Sequence, residues 1–250
     1  MIEAIIFDLD GTLVQTEKLK ALSYARAAVE LCPRSLSEGE VVEAFKTVVG
    51  RSRREVARYL VERFDLAERA AQRSAEFGVN TAWQTYIQVR LDIYEEMMAD
   101  PEIIRQNQWP YNMALLREAA RSSCKVGLAT MSHCDQVQRI LDILNQKQSF
   151  DFIATRDDVA RGKPEPEIYL LVSAELGIER ANCLVIEDSP SGVKAAVAAG
   201  MKVVAVSTPF THQGLKEMTL LPEDLVIGDP SKVSQVVAGI INQYGNSTSH

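Results

Sequence analysis

The stretch Ala4-Ile5-Ile6-Phe7-Asp8-Leu9-Asp10-Gly11-Thr12 decides the fold. It is an apolar run halted by two carboxylates and a glycine. A run so short, stopped by a turn signal, reads as a buried strand. The same form recurs at 125–130, 150–154, 183–186, 203–206 and 225–227. These runs are apolar without strict alternation, as expected for strands covered on both faces.

Helical segments lie between the later runs. Asn112 is read as the cap of a helix carrying Leu115, Leu116 and Ala119. Ser132 is read as the cap of another, with Val137, Ile140, Leu141 and Leu144. Pro166 falls in the first turn of a third, with Ile168, Tyr169, Val172 and Leu176, and Gly177 stops it. A fourth runs from Pro190 to Gly200 with Val193, Ala196 and Val197 inward. Glycine or proline is expected to close each one. Strands alternating with helices of this length imply an α/β fold, a doubly wound parallel sheet of Rossmann-like form.

Residues 16 to about 100 break the alternation and hold no convincing strand. Ser37-x-x-Glu40 and Ser52-x-x-Glu55 are capping boxes. Helical periods follow in Val41, Val42, Phe45, Val48 and Val49, in Val56, Tyr59, Leu60 and Phe64, and in Trp83, Ile87, Leu91 and Tyr94. Asp100-Pro101 closes the last of these. The expected organisation is an α/β core from 1–15 and 101–250, with an all-helical insertion at 16–100. That accounts for a length of 250 residues, awkward at roughly 150 residues per domain. Asn242 to His250 reads as a polar, frayed tail.

Composition narrows the partners. With 34 acidic and 27 basic residues the net charge is −7. Nucleic acid is a poor partner for such a chain, because its affinity comes mostly from cationic contacts to phosphate. An anionic membrane is equally poor. No apolar stretch approaches the ~18 residues of a membrane helix, and no signal peptide is visible. Cys32, Cys124, Cys134 and Cys183 form no Cys-x-x-Cys pair. A soluble, cytoplasmic protein is the expectation.

In an open α/β sheet the ligand site lies outside the carboxyl ends of the strands. Those ends carry Asp8 and Asp10, then Thr130 with Ser132, then Glu187 and Asp188; Lys163 lies in the loop after the 150–154 strand. Crowded carboxylates repel unless a cation neutralises them. Oxygen-only ligands favour a hard ion, and Mg²⁺ commonly joins carboxylates to a substrate phosphate. A hydroxyl and a lysine beside that ion suit phosphoryl transfer, and a carboxylate can itself attack phosphorus. Each piece has a plainer reading: a solvated turn for Asp-x-Asp, a helix cap for Ser132, a surface lysine for Lys163, an acidic helix start for Glu187-Asp188. Their joint occurrence, in the order expected of one site, favours the chemical reading.

Phe7-Asp8-Leu9-Asp10-Gly11-Thr12-Leu13 resembles the first motif of the haloacid dehalogenase-like hydrolase superfamily. Thr130 within Leu128-Ala129-Thr130-Met131-Ser132 matches the second, Gly162-Lys163-Pro164-Glu165-Pro166 the third, and Ile186-Glu187-Asp188-Ser189-Pro190-Ser191-Gly192 the fourth. With a helical insertion right after the first motif, the chain is similar to the branch of β-phosphoglucomutases and small sugar or glycolate phosphatases. The resemblance implies roles. Asp8 would be the nucleophile and a Mg²⁺ ligand. Asp10 would be the general acid and then the base for water, with its backbone carbonyl on the metal. Thr130 and Lys163 would bind the transferring phosphoryl oxygens, and Gly11 would let the backbone approach that group. Asp188 would hold Mg²⁺ directly, and Glu187 directly or through water. The insertion would be a mobile cap. An acid at Asp10 argues against carbon–halogen chemistry, which protonates no alkoxide.

A mutase needs a second phosphate site. Where the mutases carry a His after the first motif, this chain has Lys20. Where they show Lys-Gly-x-Ser-Arg it has Val49-Gly50-Arg51-Ser52-Arg53, and where they have a Lys after the second-motif hydroxyl it has His133. Gln15 also replaces an Asp. Arg53, His133 and Ser132 are the candidate substrate contacts. The expected activity is Mg²⁺-dependent hydrolysis of a small phosphorylated metabolite, a sugar phosphate by class. A β-phosphoglucomutase-like isomerase and a catalytically idle binding relative are the alternatives.

Overall fold

The computed structural model describes residues 1–32 and 36–245. The chain divides into two compact units: Met1–Gln15 together with the chain from Ile104 onward, and Thr16–Ile103.

The first unit is built on six parallel strands: β1 (Ala4–Phe7), β2 (Lys125–Ala129), β3 (Phe152–Ala154), β4 (Cys183–Glu187), β5 (Lys202–Val206) and β6 (Val226–Ile227). Their order is β3-β2-β1-β4-β5-β6. Every residue of β1 and β4 is buried, which is why these strands lack alternation. Helices Pro110–Ala119, Cys134–Leu144, Glu167–Leu176, Pro190–Ala198 and Val233–Gly245 accompany the sheet.

Several local expectations change. Asn112 is not a cap: the helix starts at Pro110, and Asn112 lies inside it, its buried Nδ2 donating to the Thr12 carbonyl at 2.6 Å. Ser132 is not a cap either. Its hydroxyl donates to Asp10 Oδ2, and the helix starts later, at Cys134, whose amide is met by Asp157 Oδ2 at 2.8 Å. That helix ends on Asn145 in the left-handed region, φ 53°, and not on glycine. Asn tolerates that conformation because its short amide bonds locally. Phe150 and Asp151 precede β3, and Asp151 accepts from Lys125 Nζ and the Val126 amide. Asn242 to Gly245 belong to the last helix, and 246–250 lie outside the described residues.

The regular structure among the described residues of the second unit is all helical: Thr16–Leu31, Glu38–Lys46, Arg53–Arg63, Ala67–Gln72 and Ala82–Ala99, with a short 3₁₀ turn at Ser74–Phe77. Both capping boxes form, with Ser37 and Ser52 each reciprocated by the glutamate three residues on. The 82–99 helix buries Ile87 as its period suggests, but the rest of its buried face differs. Tyr86, Val89, Arg90 and Met97 are buried, whereas Trp83, Leu91 and Tyr94 are half-buried. Tyr86 takes the interior because its hydroxyl finds the Tyr24 carbonyl at 2.7 Å, and Trp83 instead supports the Arg54 guanidinium. No described helix is long and apolar enough to cross a membrane.

Candidate active site

Strand register brings the site together. Phe7 pairs with Leu128 on one side and with Ile186 on the other. The residues that follow therefore emerge at one edge: Asp8 and Asp10 after β1, Thr130 after β2, Glu187 and Asp188 at the end of β4.

Lys163 ties these ends together. Its ammonium meets Asp8 Oδ1 at 2.7 Å, Glu187 Oε1 at 2.6 Å and the Ala129 carbonyl at 3.0 Å. An ammonium has three protons, and here each has an acceptor. The Lys163 side chain is 4% exposed, that of Asp8 6% and that of Glu187 1%. Burial works against the Lys163 charge, but Asp8 and Glu187 outweigh it and hold its pKa well above the usual lysine value. Burial pushes the Asp8 carboxyl up to about 8; Lys163 pulls it down, and the charges of Glu187 and Asp10 add to the rise.

Glu187 is fully engaged. Oε1 accepts from Lys163 and from the Tyr169 hydroxyl at 3.1 Å. Oε2 accepts from the Asp188 amide, the Ser189 amide and the Ser189 hydroxyl, at 2.8, 2.7 and 3.0 Å. Gly192 makes room for it, since a Cβ there would lie 1.6 Å from Oε1. Tyr169 was read from the sequence only as a core position. Its ring is fully buried and lies 5.0 Å from the Lys163 nitrogen. A hydroxyl placed one strand away gives no local sequence signal.

Asp10 has split duties. Oδ2 accepts from Thr130 Oγ1 at 2.9 Å and Ser132 Oγ at 2.7 Å, while Oδ1 is buried with no hydrogen-bond partner. The Thr130 hydroxyl, expected on the phosphoryl group, faces Asp10 here. Gly11 has φ +86°, and a Cβ on it would lie 2.1 Å from Asp188 Oδ2. Asp188 therefore packs on bare backbone.

The donor chemistry fits a hard divalent cation. One oxygen each from Asp8, Glu187 and Asp188 lies within 4.8 Å of the others, and all three residues are buried. The set contains no nitrogen or sulfur, which excludes a preference for zinc or copper. A buried oxygen-only trio beside the Gly11 cradle suits a metal shared with an anionic ligand.

Two other candidates remain. His133 precedes the Cys134–Leu144 helix, is exposed, and has Nδ1 2.6 Å from Asp157 Oδ1. Arg53 belongs to the helical unit, exposed at the first residue of its helix. In that unit Lys20 pairs with Glu17 at 2.7 Å.

Comparison with known proteins agrees with this geometry. A Drosophila melanogaster protein named "Probable pseudouridine-5'-phosphatase" is 29% identical over 218 residues, covering 83% of this chain and 83% of its own. A Thermotoga maritima protein named "Phosphorylated carbohydrates phosphatase" is 28% identical over 200 residues, covering 80% of this chain and 82% of its own. The crystal structure of β-phosphoglucomutase from Clostridium difficile superposes with a TM-score of 0.64 at 23% identity, over 98% of this chain and 99% of that one. The haloacid dehalogenase-like hydrolase model matches residues 5–206. With that match spanning the whole strand-end cluster, the chain belongs to the haloacid dehalogenase-like hydrolases.

Proposed function

We propose that this protein is a Mg²⁺-dependent phosphatase acting on a small phosphorylated metabolite, a sugar phosphate by class, with the phosphoryl group carried on Asp8. The observation that carries this reading is the division of labour between the two carboxylates after β1. Asp8 Oδ1 is tied to Lys163, which leaves Oδ2 to attack phosphorus. Asp10 Oδ2 is tied to two hydroxyls, which leaves Oδ1 to hold a proton. One carboxylate is thus held as a nucleophile and the other as an acid–base group.

In the first step Asp8 Oδ2 forms a bond to phosphorus, the bond from phosphorus to the leaving oxygen breaks, and Asp10 gives that oxygen its proton. In the second step Asp10 takes a proton from water. The water oxygen then displaces Asp8 from phosphorus, and inorganic phosphate leaves. Lys163 pulls the Asp8 pKa down against burial and offsets the charge of the phosphoryl oxygens. Asp8, Asp188 and the Asp10 carbonyl would hold Mg²⁺, with Glu187 reaching it through water, since both its oxygens are filled. Bound Mg²⁺ neutralises charge on the phosphoryl group and on the carboxylates.

The names of the relatives support hydrolysis over transfer to a second sugar hydroxyl. The test is a metabolite-phosphate screen that follows free phosphate and isomer formation together. Phosphate release abolished by EDTA is expected; isomer formation without free phosphate would contradict the reading. Asp10→Asn is expected to cost about 10²–10⁴-fold in kcat. The loss should shrink for substrates with a good leaving group, because they need less protonation. Tyr169→Phe keeps the ring under Lys163 but removes a donor from Glu187. It should lower kcat by roughly 10-fold with KM little changed, read from steady-state kinetics at saturating Mg²⁺.

A further inference from the structure

Asn112 is a poor choice for its place in the fold. It lies in the first turn of the Pro110–Ala119 helix, on the face that buries Leu115, Leu116 and Ala119, and it is only 2% exposed. Its Nδ2 donates to the Thr12 carbonyl at 2.6 Å, but its Oδ1 is buried with no hydrogen-bond partner. A buried amide with one end unmet loses in desolvation much of what the other end gains. An apolar side chain would suit that face, and a helix disfavours Asn. Net stability therefore does not account for Asn112. What the bond does to Thr12 is the better explanation.

Thr12 lies two residues after Asp10. Its carbonyl and the Leu13 amide belong to one peptide unit, which is planar, so one group cannot turn without the other. The Leu13 amide donates to the Leu9 carbonyl at 2.9 Å, and the Val14 amide meets the same oxygen at 3.1 Å. That carbonyl belongs in turn to the peptide unit that begins Asp10. Asn112 thus stands two hydrogen bonds and one rigid plane from the Asp10 backbone. Among the described residues no second donor meets the Thr12 carbonyl. The rest of the loop is held by backbone: the Gly11 amide on the Val14 carbonyl at 2.7 Å, and the Trp109 amide on the Leu13 carbonyl at 2.9 Å. Those bonds survive a change of side chain, whereas substitution at Asn112 frees the Thr12–Leu13 plane.

We propose that Asn112 is a positioning residue for Asp10. Its amide pins the Thr12–Leu13 peptide unit, and through the Leu9 carbonyl it fixes the backbone from which the Asp10 carboxyl reaches the leaving oxygen. This rests on the reading of Asp10 as the acid–base group. Asn112 itself touches no reacting atom. Its effect falls on the step that needs a proton from Asp10, because proton transfer requires hydrogen-bond reach and is lost on a small misplacement.

The test compares kcat/KM for two substrates in the parent protein, Asn112→Leu and Asp10→Asn, at saturating Mg²⁺. One is para-nitrophenyl phosphate, whose leaving phenolate needs little protonation. The other is the sugar phosphate that the parent turns over fastest, whose alkoxide needs a proton to leave. This parameter covers the steps up to departure of the leaving group, so it reads Asp10 as an acid and not as the base for water. In Asn112→Leu the sugar phosphate value should fall about 10²-fold and the para-nitrophenyl phosphate value only a few-fold, with Tm close to that of the parent. Asp10→Asn should show the same asymmetry, enlarged. A side chain that serves only the fold would lower Tm and lower both values in proportion. An unchanged ratio of the two values in Asn112→Leu, beside a shifted ratio in Asp10→Asn, overturns the proposal alone. If Asn112→Leu fails to fold, Asn112→Ala is judged on the same ratio. Equal losses on both substrates in Asp10→Asn, or no turnover by the parent, would sink the acid–base reading and the proposal with it.

Discussion

Asp8→Asn is expected to abolish turnover and, in the metal-free protein, to raise the melting temperature. Turnover goes because an amide is too poor a nucleophile to form the bond to phosphorus. Stability rises because Asp8 shares a buried cluster with Glu187 and Asp188, with the charge of Asp10 acting on it as well, against the single ammonium of Lys163. Its carboxyl is pushed up to about 8, first by burial. A folded-state pKa above the unfolded value favours the fold below the unfolded pKa, and that contribution is lost as pH rises toward 8. The parent protein in EDTA should therefore lose stability between about pH 4 and 8, and Asp8→Asn should lose less. At pH 8 the gap should be on the order of 2 kcal/mol, or roughly 4–8 °C for a chain of this size. Asn Oδ1 can still accept from Lys163. A variant that melts lower than its parent at pH 8 in EDTA would contradict this account of the cluster.

Lys163→Met is expected to be the most destabilising single change at the site. It leaves Asp8 and Glu187, both nearly fully buried, facing one another without a cation. Removing one partner of a buried ion pair costs about 3–5 kcal/mol, because the charge left behind stays out of water. Urea denaturation in EDTA should show that loss as a lower midpoint. Adding Asp8→Asn to Lys163→Met should recover part of it, since one of the stranded charges is gone. A gain from Asp8→Asn that is no larger in the Lys163→Met background than in the parent protein would mean that the two side chains do not share one buried network.

What could be read from the chain, and what could not, follows from how local each signal is. Asp8, Asp10, Thr130, Glu187 and Asp188 were legible because a buried strand announces its own end, and a parallel sheet lines those ends up. Lys163 needed the recognisable Gly162-Lys163-Pro164 setting, since nothing local marks a loop lysine that will be buried by two other strands. Ser132 and Asn112 misled as caps for the same reason: their best partners, Asp10 and the Thr12 carbonyl, are more than ninety positions away. Tyr169 looked like core packing because its ring is core packing; only its hydroxyl reaches Glu187. Arg90 was invisible because periodicity registers apolar residues, and a charge held between the Tyr24 and Tyr94 rings breaks that rule.

The most direct test of the central claim is rapid acid quench under single-turnover conditions, followed by mass spectrometry of the peptide that carries Asp8. A phosphoryl group on Asp8 that forms before free phosphate and then decays is the result expected, with no such adduct in Asp8→Asn. Phosphate released at full rate with no adduct on Asp8, and with Asp8→Asn still turning over, would contradict it.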